Sequence, residues 1–194
     1  MSKEEDLVKR LLQKLTAHGT PNGPSGGEAA IALHDLGATA ASPNVKPDLK
    51  KGAELVITQV IHDQNKQYTS KELLDGAVKG AAALGTENAG IALSKAVHSQ
   101  VPAATAREAL KGMAALLARG KGVSGVGIEK MTTALVEATA HPSGEVRALA
   151  AEYLGTHGDA KHVKKLESLA AKDGEGYVRN SAKRAAEELR RRLP

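Results

Sequence analysis

The order of apolar and polar residues predicts a chain built from short amphipathic helices. In residues 3–17 the apolar side chains Leu7, Leu11 and Leu15 recur every four positions, and acidic residues fill the first turn, where they complement the helix dipole. Comparable three-to-four spacing continues to the end of the chain. It predicts helices over residues 3–17, 28–38, 48–64, 71–84, 87–99, 104–119, 125–140, 144–155, 160–172 and 176–192.

Residues at the expected helix ends support this interpretation. Ser70 precedes an apolar run and is a suitable N-cap, and Asp159 has the same role before residue 160. Gly85 follows Leu84 at a position that favours the left-handed conformation. Segments rich in Gly and Pro, at 18–27 and 41–47, interrupt the N-terminal part of the chain. No run alternates apolar and polar residues as a half-buried strand does, so the fold class is all-α.

The composition indicates that the helices approach one another closely. The 194 residues include 34 Ala and 20 Gly but no Phe or Trp. Gly76 and Gly80 lie four positions apart, on one face of their helix, where the absence of a side chain allows close packing. The chain has no Cys, which excludes a disulfide framework, a cysteine-ligated metal and a cysteine nucleophile.

An internal repeat is clearest in the last third of the chain. Residues 145–155 read EVRALAAEYLG and residues 177–188 read YVRNSAKRAAEE. Their Val-Arg pairs, at 146–147 and 178–179, lie 32 residues apart, and Ala150 and Ala182 keep the same spacing. Small and apolar positions match between the two segments while the outward positions vary. A repeat of this length is typical of stacked helix pairs.

Over residues 141–190 the pattern resembles HEAT-like repeats of the phycobilisome-lyase type. The matching residues are Val146, Arg147, Ala150, Ala151, Leu154, Gly155, Gly158, Asp159, Leu166, Leu169, Asp173, Val178 and Arg179. The resemblance implies an α-solenoid of about five antiparallel helix pairs, with degenerate N-terminal pairs. Residues 46–194 would form the repeats and residues 1–45 a cap or a degenerate repeat. In such folds the Arg after each Val commonly reaches carboxylates or turn carbonyls of the adjacent repeat.

The net charge and the first residues of the sequence indicate which partners and which cellular location to expect. The formal net charge is +5, and residues 141–194 hold 11 basic against 8 acidic residues, so an acidic partner is permitted without being required. The first residues lack the apolar stretch of a secretory signal, and no run of about 18 apolar residues predicts a membrane span. We therefore expect a cytoplasmic protein that does not enter a membrane.

Candidates for catalysis or cofactor binding are weak. His157, Asp159 and His162 form H-x-D-x-x-H, which could hold a metal, but Asp159 is better explained as a helix cap. The Gly-rich segment 120–127 precedes a helix and could bind an anion, yet it lacks the spacing of known phosphate loops. Tetrapyrrole lyase activity does not follow from the repeat resemblance, since the chain has no Cys and few aromatic residues. We expect no enzyme activity, cofactor or metal.

The favoured function is that of a protein-binding scaffold or adaptor. Its concave face, built by the second helix of each pair, would receive another protein, with an acidic segment as a suitable ligand. The candidate contacts are outward positions on those helices: Lys111, Arg147, Lys183 and Arg184. For Arg147, and equally for Arg179, a structural role within the repeats is the stronger interpretation.

Nucleic acid binding in a mildly basic groove is the alternative. The side chains that could contact phosphates are Lys111, Lys161, Lys164, Lys165, Lys183, Arg184, Arg190, Arg191 and Arg192. Acidic residues are interspersed among them, and only Tyr68, Tyr153 and Tyr177 could stack on a base.

Overall fold

The chain folds into two layers of helices in a computed structural model that describes residues 2–18, 24–63 and 70–193. These residues form ten α-helices and no β-strand. The helices are α1 (Lys3–Thr16), α2 (Gly26–Ala40), α3 (Pro47–His62), α4 (Lys71–Leu84), α5 (Glu87–Leu93), α6 (Ala103–Arg119), α7 (Gly125–Ala138), α8 (Gly144–His157), α9 (Val163–Lys172) and α10 (Gly176–Arg192).

The predicted helix caps are confirmed. The Ser70 hydroxyl accepts a hydrogen bond from the Leu73 backbone N–H at 3.1 Å, and Gly85 ends α4 with φ +61°. Asp159 caps a short 3-10 turn, Ala160–His162, that precedes α9. The second helix starts earlier than expected, at Gly26. Gln64, Tyr68 and the turn residues 19–23 lie outside the described part of the chain.

The helix predicted over residues 87–99 is wrong in its second half. Helix α5 ends at Leu93, and a 3-10 turn, Ser94–Ala96, leads the chain inward. Val97 and Val101 are then buried, and the Val101 carbonyl lies 3.2 Å from Nε2 of the buried His141. Burying two valines in the core favours the inward turn over two further helical turns on the surface.

The helices pair in chain order and stack as a solenoid. The even-numbered helices form one layer, in which α2, α4, α6, α8 and α10 pack side by side in that order. The odd-numbered helices form the second layer, where neighbours pack less closely and α7 and α9 scarcely touch. The even helices are the second helices of the pairs, so their exposed side is the face on which a partner is expected from the sequence. The predicted all-α solenoid of five helix pairs is confirmed.

Glycine is what lets the even helices approach so closely. A Cβ at Gly37 of α2 would overlap the backbone of Gly80 in α4, and one at Gly76 would overlap the backbone of Ala30. The predicted role of Gly76 and Gly80 is therefore confirmed. Further along, a Cβ at Gly155 of α8 would lie 2.8 Å from the Cα of Ala185 in α10.

The N-terminal helices join the same stack. Helix α2 packs along α4 as an even helix, while α1 contacts both α2 and α3. Val8 and Leu36, like Ala40 and Val45, belong to the continuous apolar core that also includes residues of α10. Within the described residues, no helix combines the length and the apolar character needed to cross a bilayer.

We expect Gly37→Ala to lower the free energy of unfolding by about 2–3 kcal/mol, because the new methyl group must push two backbones apart. Gly27→Ala, on the same helix, is the matched control, since a methyl group there would have no neighbour within 4 Å. Its stability should be unchanged or higher by up to about 1 kcal/mol. Urea denaturation measures both. Equal stability of the two variants would contradict the backbone contact.

Candidate functional site

The exposed side of the even helices forms one continuous surface, here called the even-helix face. Contacts between neighbouring helices establish its continuity from α4 to α10, and a shallow recess lined by α2 and α4 extends it to the first pair. Its principal side chains are Ile31, His34, Asp75, Lys79, Arg107, Glu108, Lys111, Glu145, Glu152, Tyr177, Lys183 and Arg184.

Polar side chains link each even helix from α4 onward to the next. The Asp75 carboxylate on α4 accepts a hydrogen bond from Thr105 on α6 at 3.2 Å. Arg107 on α6 pairs with Glu145 on α8 at 2.7 Å. Glu152 on α8 then accepts a hydrogen bond from Ser181 on α10 at 3.0 Å. Charges of both signs therefore alternate across the face, and it does not form a uniformly basic groove.

Two of the four candidate contacts lie together at the C-terminal end of the even-helix face. Lys183 and Arg184 line a recess of 540 Å³ on α10, along with Tyr177, whose side chain is 47% exposed. Arg184 is 74% exposed and lies 3.8 Å from Glu152, and Lys183 forms no ion pair with any described residue. The exposed Glu187 lines the same recess, so this end of the face offers two accessible cations and one carboxylate beside an exposed aromatic ring.

Lys111 occupies the middle of the even-helix face. Its ammonium group lies 2.8 Å from the carboxylate of Glu108, one turn earlier on α6. It is also near Tyr153 of α8: burial raises the pKa of that phenol, and the Lys111 charge opposes the rise. Lys111 is exposed, so the structure leaves it accessible, but its charge is already paired.

The prediction that Arg147 points outward is wrong. Its side chain is 15% exposed, and its guanidinium donates from Nε and Nη2 to the two carboxylate oxygens of Asp173, at 2.7 and 3.0 Å. Nη1 donates to the carbonyls of His141 and Pro142, both at 2.9 Å. The hydrogen bond from Arg147 holds the pKa of the Asp173 carboxyl below its usual range. Arg147 thus serves the structural role that the repeat resemblance implied.

Arg179 repeats this arrangement one unit later. Its Nη1 donates to the carbonyls of Asp173 and Gly174, which stand six and five residues before it. Those are the same offsets at which Arg147 meets His141 and Pro142. Each Arg therefore closes the turn that precedes its own helix. Arg147 also pairs with Asp173, which lies in the turn between α9 and α10.

We expect Arg147→Ala to cost about 2–4 kcal/mol of unfolding free energy, since it leaves the Asp173 carboxylate buried without its cation. Arg147→Lys should recover only part of the loss, because an ammonium group cannot reproduce the bidentate contact. Arg10, whose exposed side chain pairs with Asp6, gives the control Arg10→Ala, which should change stability little. Thermal denaturation distinguishes these outcomes. A loss no larger for Arg147→Ala than for the control would refute the structural role.

The H-x-D-x-x-H segment is used for capping. Nδ1 of the buried His162 accepts a hydrogen bond from the Asp159 backbone N–H at 3.0 Å, and the Asp159 carboxylate accepts one from Lys161 N–H at 3.1 Å. Burial lowers the pKa of His162, and burial together with Arg192 lowers the pKa of His157. In the described ranges, no three His, Asp or Glu side chains are grouped so as to hold a metal.

Those two histidines should make the fold less stable in mild acid. A histidine whose pKa is lowered by folding takes up its proton more readily in the unfolded chain, so stability falls as pH drops below about 6.5. We expect His157→Gln/His162→Asn to flatten the dependence of unfolding free energy on pH between about 7 and 5. The exposed His34, changed to Gln, is the control. An undiminished slope in the double variant would contradict this assignment.

The Gly-rich segment 120–127 gives no sign of an anion site. Ser124 caps α7 by accepting a hydrogen bond from Gly127 N–H at 3.1 Å. The Ser124 hydroxyl also bonds to the Glu87 carboxylate. That carboxylate lies at the helix N-terminus, where it complements the dipole and would repel a second anion.

The basic residues at the C-terminus are largely paired. Arg190 pairs with Glu167 and Arg191 with Glu188, while Arg192 donates to the Gly158 carbonyl at 3.0 Å. Lys161 lies 3.3 Å from Asp159. These pairs, and the mixed charge of the even-helix face, place carboxylates among the cations that a nucleic acid backbone would follow, while Lys164 and Lys165 on α9 are exposed.

Sequence reasoning did not identify the links between even helices. Glu145, Glu152, Arg107 and Thr105 have no motif of their own, and their partners lie 29 to 38 residues away. Of the contacts described here, the sequence signals only those of Arg147 and Arg179, because the Val-Arg pair occurs twice at the repeat spacing. The recesses between helices could not be predicted either, because they depend on where neighbouring helices end.

Residues 93–187, from the end of α5 into α10, match the family described as HEAT repeats. No curated protein matches the chain significantly. The finer resemblance to phycobilisome-lyase-type repeats stays a prediction. The family match, the paired helices and their two-layer stacking together show that the chain is a HEAT-like repeat protein.

Proposed function

We propose that this protein is a non-enzymatic adaptor that binds another protein on its even-helix face. HEAT repeats commonly mediate protein interactions. The observation that carries the proposal is the C-terminal recess, where the exposed Tyr177 stands beside the accessible cations Lys183 and Arg184. Tyrosine and arginine are enriched among the residues that dominate binding at protein interfaces.

An acidic segment is the ligand that suits this recess. Lys183 has no ion-pair partner among the described residues, and Arg184 has only a distant one, so a carboxylate could approach both without displacing a strong contact. On α6 and α8 the charged side chains are already paired with one another. The part of the partner segment that lies there should therefore carry both polar and apolar residues. Four helix-to-helix steps of about 9 Å separate α2 from α10, a span that about eleven extended residues would cover.

We propose a binding protein and not an enzyme because, among its described residues, the even-helix face has no nucleophile that a neighbouring base could activate. The carboxylates of Asp75, Glu145 and Glu152 are engaged in the links between helices. The cytoplasmic location expected from the sequence stays a prediction.

A displayed library of random peptides of about twelve residues, selected against the protein, tests the proposal. We expect enriched peptides to be acidic and to bind the Lys183→Glu/Arg184→Glu variant about tenfold more weakly or worse. Lys164→Glu/Lys165→Glu is the matched control, because it makes the same charge change on exposed residues of α9. The control should retain most of the affinity.

Two results would overturn the proposal. Equal weakening in both variants would mean that net charge, and no particular surface, attracts the peptides. Tighter binding of a DNA duplex of about 20 base pairs than of the enriched peptides, at about 150 mM salt, would favour the nucleic acid alternative.

A further inference from the structure

Arg147 and Arg179 differ in what the outer part of the guanidinium binds. Each uses Nη1 to hold two carbonyls of the turn before its own helix. Arg147 also donates from Nε and Nη2 to the Asp173 carboxylate, in the turn before the next even helix. Among the described residues, Nε and Nη2 of Arg179 have no acceptor. The same arrangement is therefore complete in one unit and open in the next.

Asp173 does not supply the missing carboxylate. Both of its carboxylate oxygens accept hydrogen bonds from Arg147, and one of them also accepts from the Glu175 backbone N–H at 3.0 Å. The Arg147 hydrogen bond is the largest cause of the lowered pKa of Asp173, and Arg179 contributes through its charge. Arg179 is partly exposed, so a carboxylate of another molecule can reach it.

The glycine three residues before each arginine shows the same difference. Gly144 begins α8, and a Cβ added there would overlap the Glu175 carboxylate and the Tyr177 hydroxyl. Gly176 begins α10. Outside its chain neighbours and its own helix backbone, the one described atom within 4 Å of a Cβ at Gly176 is Nη2 of Arg179, at 3.5 Å. The space over the first glycine is occupied, while the space over the second is open.

One short segment, residues 173–177, covers both Arg147 and Gly144. It reads Asp-Gly-Glu-Gly-Tyr, so it brings two carboxylates and a phenol to this part of α8. Arg179 and Gly176 have the same spacing and the same place at the start of their helix. We call these two residues the Arg179 site. The segment that covers Arg147 indicates the ligand chemistry that fits this site.

The side of α10 near the Arg179 site suits a short segment and not a further helix. Three positions of α8 are small and buried, and the positions 32 residues later, on α10, are polar and exposed. The α8 set is Ala148, Ala151 and Gly155, and the α10 set is Asn180, Lys183 and Glu187. Because long side chains keep helix axes apart, another helix cannot approach α10 there as closely as α10 approaches α8.

The charges near the Arg179 site are mixed, so the choice of ligand rests on directed hydrogen bonds and not on net charge. Lys183 and Glu187 lie four and eight residues after Arg179, on the same side of α10, and carry opposite charges. Two parallel N–H donors of an arginine match the two oxygens of a carboxylate, and this bidentate contact is stronger than one to a neutral acceptor. Arg147 and Asp173 show that geometry, with distances of 2.7 and 3.0 Å.

We propose that the Arg179 site binds an acidic turn of a protein partner, with the pattern Asp-x-Glu-x-Tyr. The aspartate would accept hydrogen bonds from Nε and Nη2 of Arg179, and the glutamate and tyrosine would lie over Gly176. The inference deepens the proposed function and rests on it, because this turn is the part of the acidic segment that would reach α10 beside Lys183. A second copy of the chain does not supply the turn, since its own residues 173–177 are engaged by its own Arg147.

A cyclic peptide that contains Asp-Gly-Glu-Gly-Tyr tests the proposal, with Asn-Gly-Gln-Gly-Tyr as the neutral counterpart. We expect the acidic peptide to bind with a dissociation constant of about 0.1–1 mM, and the neutral one about tenfold more weakly or worse. NMR titration of the arginine Nε–H signals measures the contact directly. The Arg179 signal should shift, and the Arg147 signal should not, because its acceptor is already in place.

Gly176→Ala should weaken binding of the acidic peptide about tenfold, because the methyl group would occupy the space of the ligand's phenol. The fold should be retained, since φ at Gly176 lies outside the left-handed region and Nη2 of Arg179 is at an ordinary contact distance. Gly125→Ala is the matched control, because Gly125 begins α7 and has no neighbour within 4 Å of an added Cβ. Arg179→Gln should also abolish binding, but it removes the turn contacts too, so Gly176→Ala is the decisive variant.

Three results would overturn the proposal: equal affinity for the two peptides, equal shifts of the two arginine signals, or Gly176→Ala binding as well as Gly125→Ala. The absence of binding up to about 10 mM would do the same.

The displayed peptides test the proposed function separately. If they lose affinity for Lys183→Glu/Arg184→Glu and bind Gly176→Ala normally, the proposed function stands and the Asp-x-Glu-x-Tyr turn is wrong. If the cyclic peptide behaves as expected while the displayed peptides bind Lys183→Glu/Arg184→Glu normally, the Arg179 site stands and the recess is wrong.

Discussion

Direct backbone contact between neighbouring even helices is the constraint on which this structure depends. At Gly37, Gly76 and Gly80 no side chain separates α2 from α4, and Gly155 gives α8 the same access to α10. Close approach allows the dispersion contacts of many atoms to replace those of large side chains, so a core without Phe or Trp is still continuous from α1 to α10.

The even-helix face and the odd-helix side of the molecule differ in polarity because the two layers differ in how closely their helices pack. On the even side, helices are near enough for side chains such as Arg107 and Glu145 to meet across them, so paired charges link the surface and its accessible cations collect at the last helix. On the odd side, looser packing and the short α5 leave grooves with exposed leucine and valine. One constraint therefore produces a polar even-helix face and a more apolar, interrupted odd-helix face.

Sequence reasoning predicted the helices, the repeat and the close packing because each has a local signal. Helical periodicity, the Ser70 cap and the Gly85 terminus depend on a few adjacent residues, and the Val-Arg pairs occur twice. The end of α5 was missed because burial of Val97 and Val101 is decided by tertiary packing. Arg147 was among the candidate contacts, although the repeat resemblance favoured a structural role. Its partner Asp173 lies 26 residues away, so the fold was needed to identify that contact.

Hydrogen–deuterium exchange of the native protein, resolved to individual helices, tests the central claim most directly. If the even layer is the tightly packed one, the central even helices α4, α6 and α8 should exchange more slowly than the odd helices α3, α5 and α7 that pair with them. The short α5 and the turn after it should exchange fastest of these. Equal protection of the two layers, or slower exchange in the odd helices, would contradict the account.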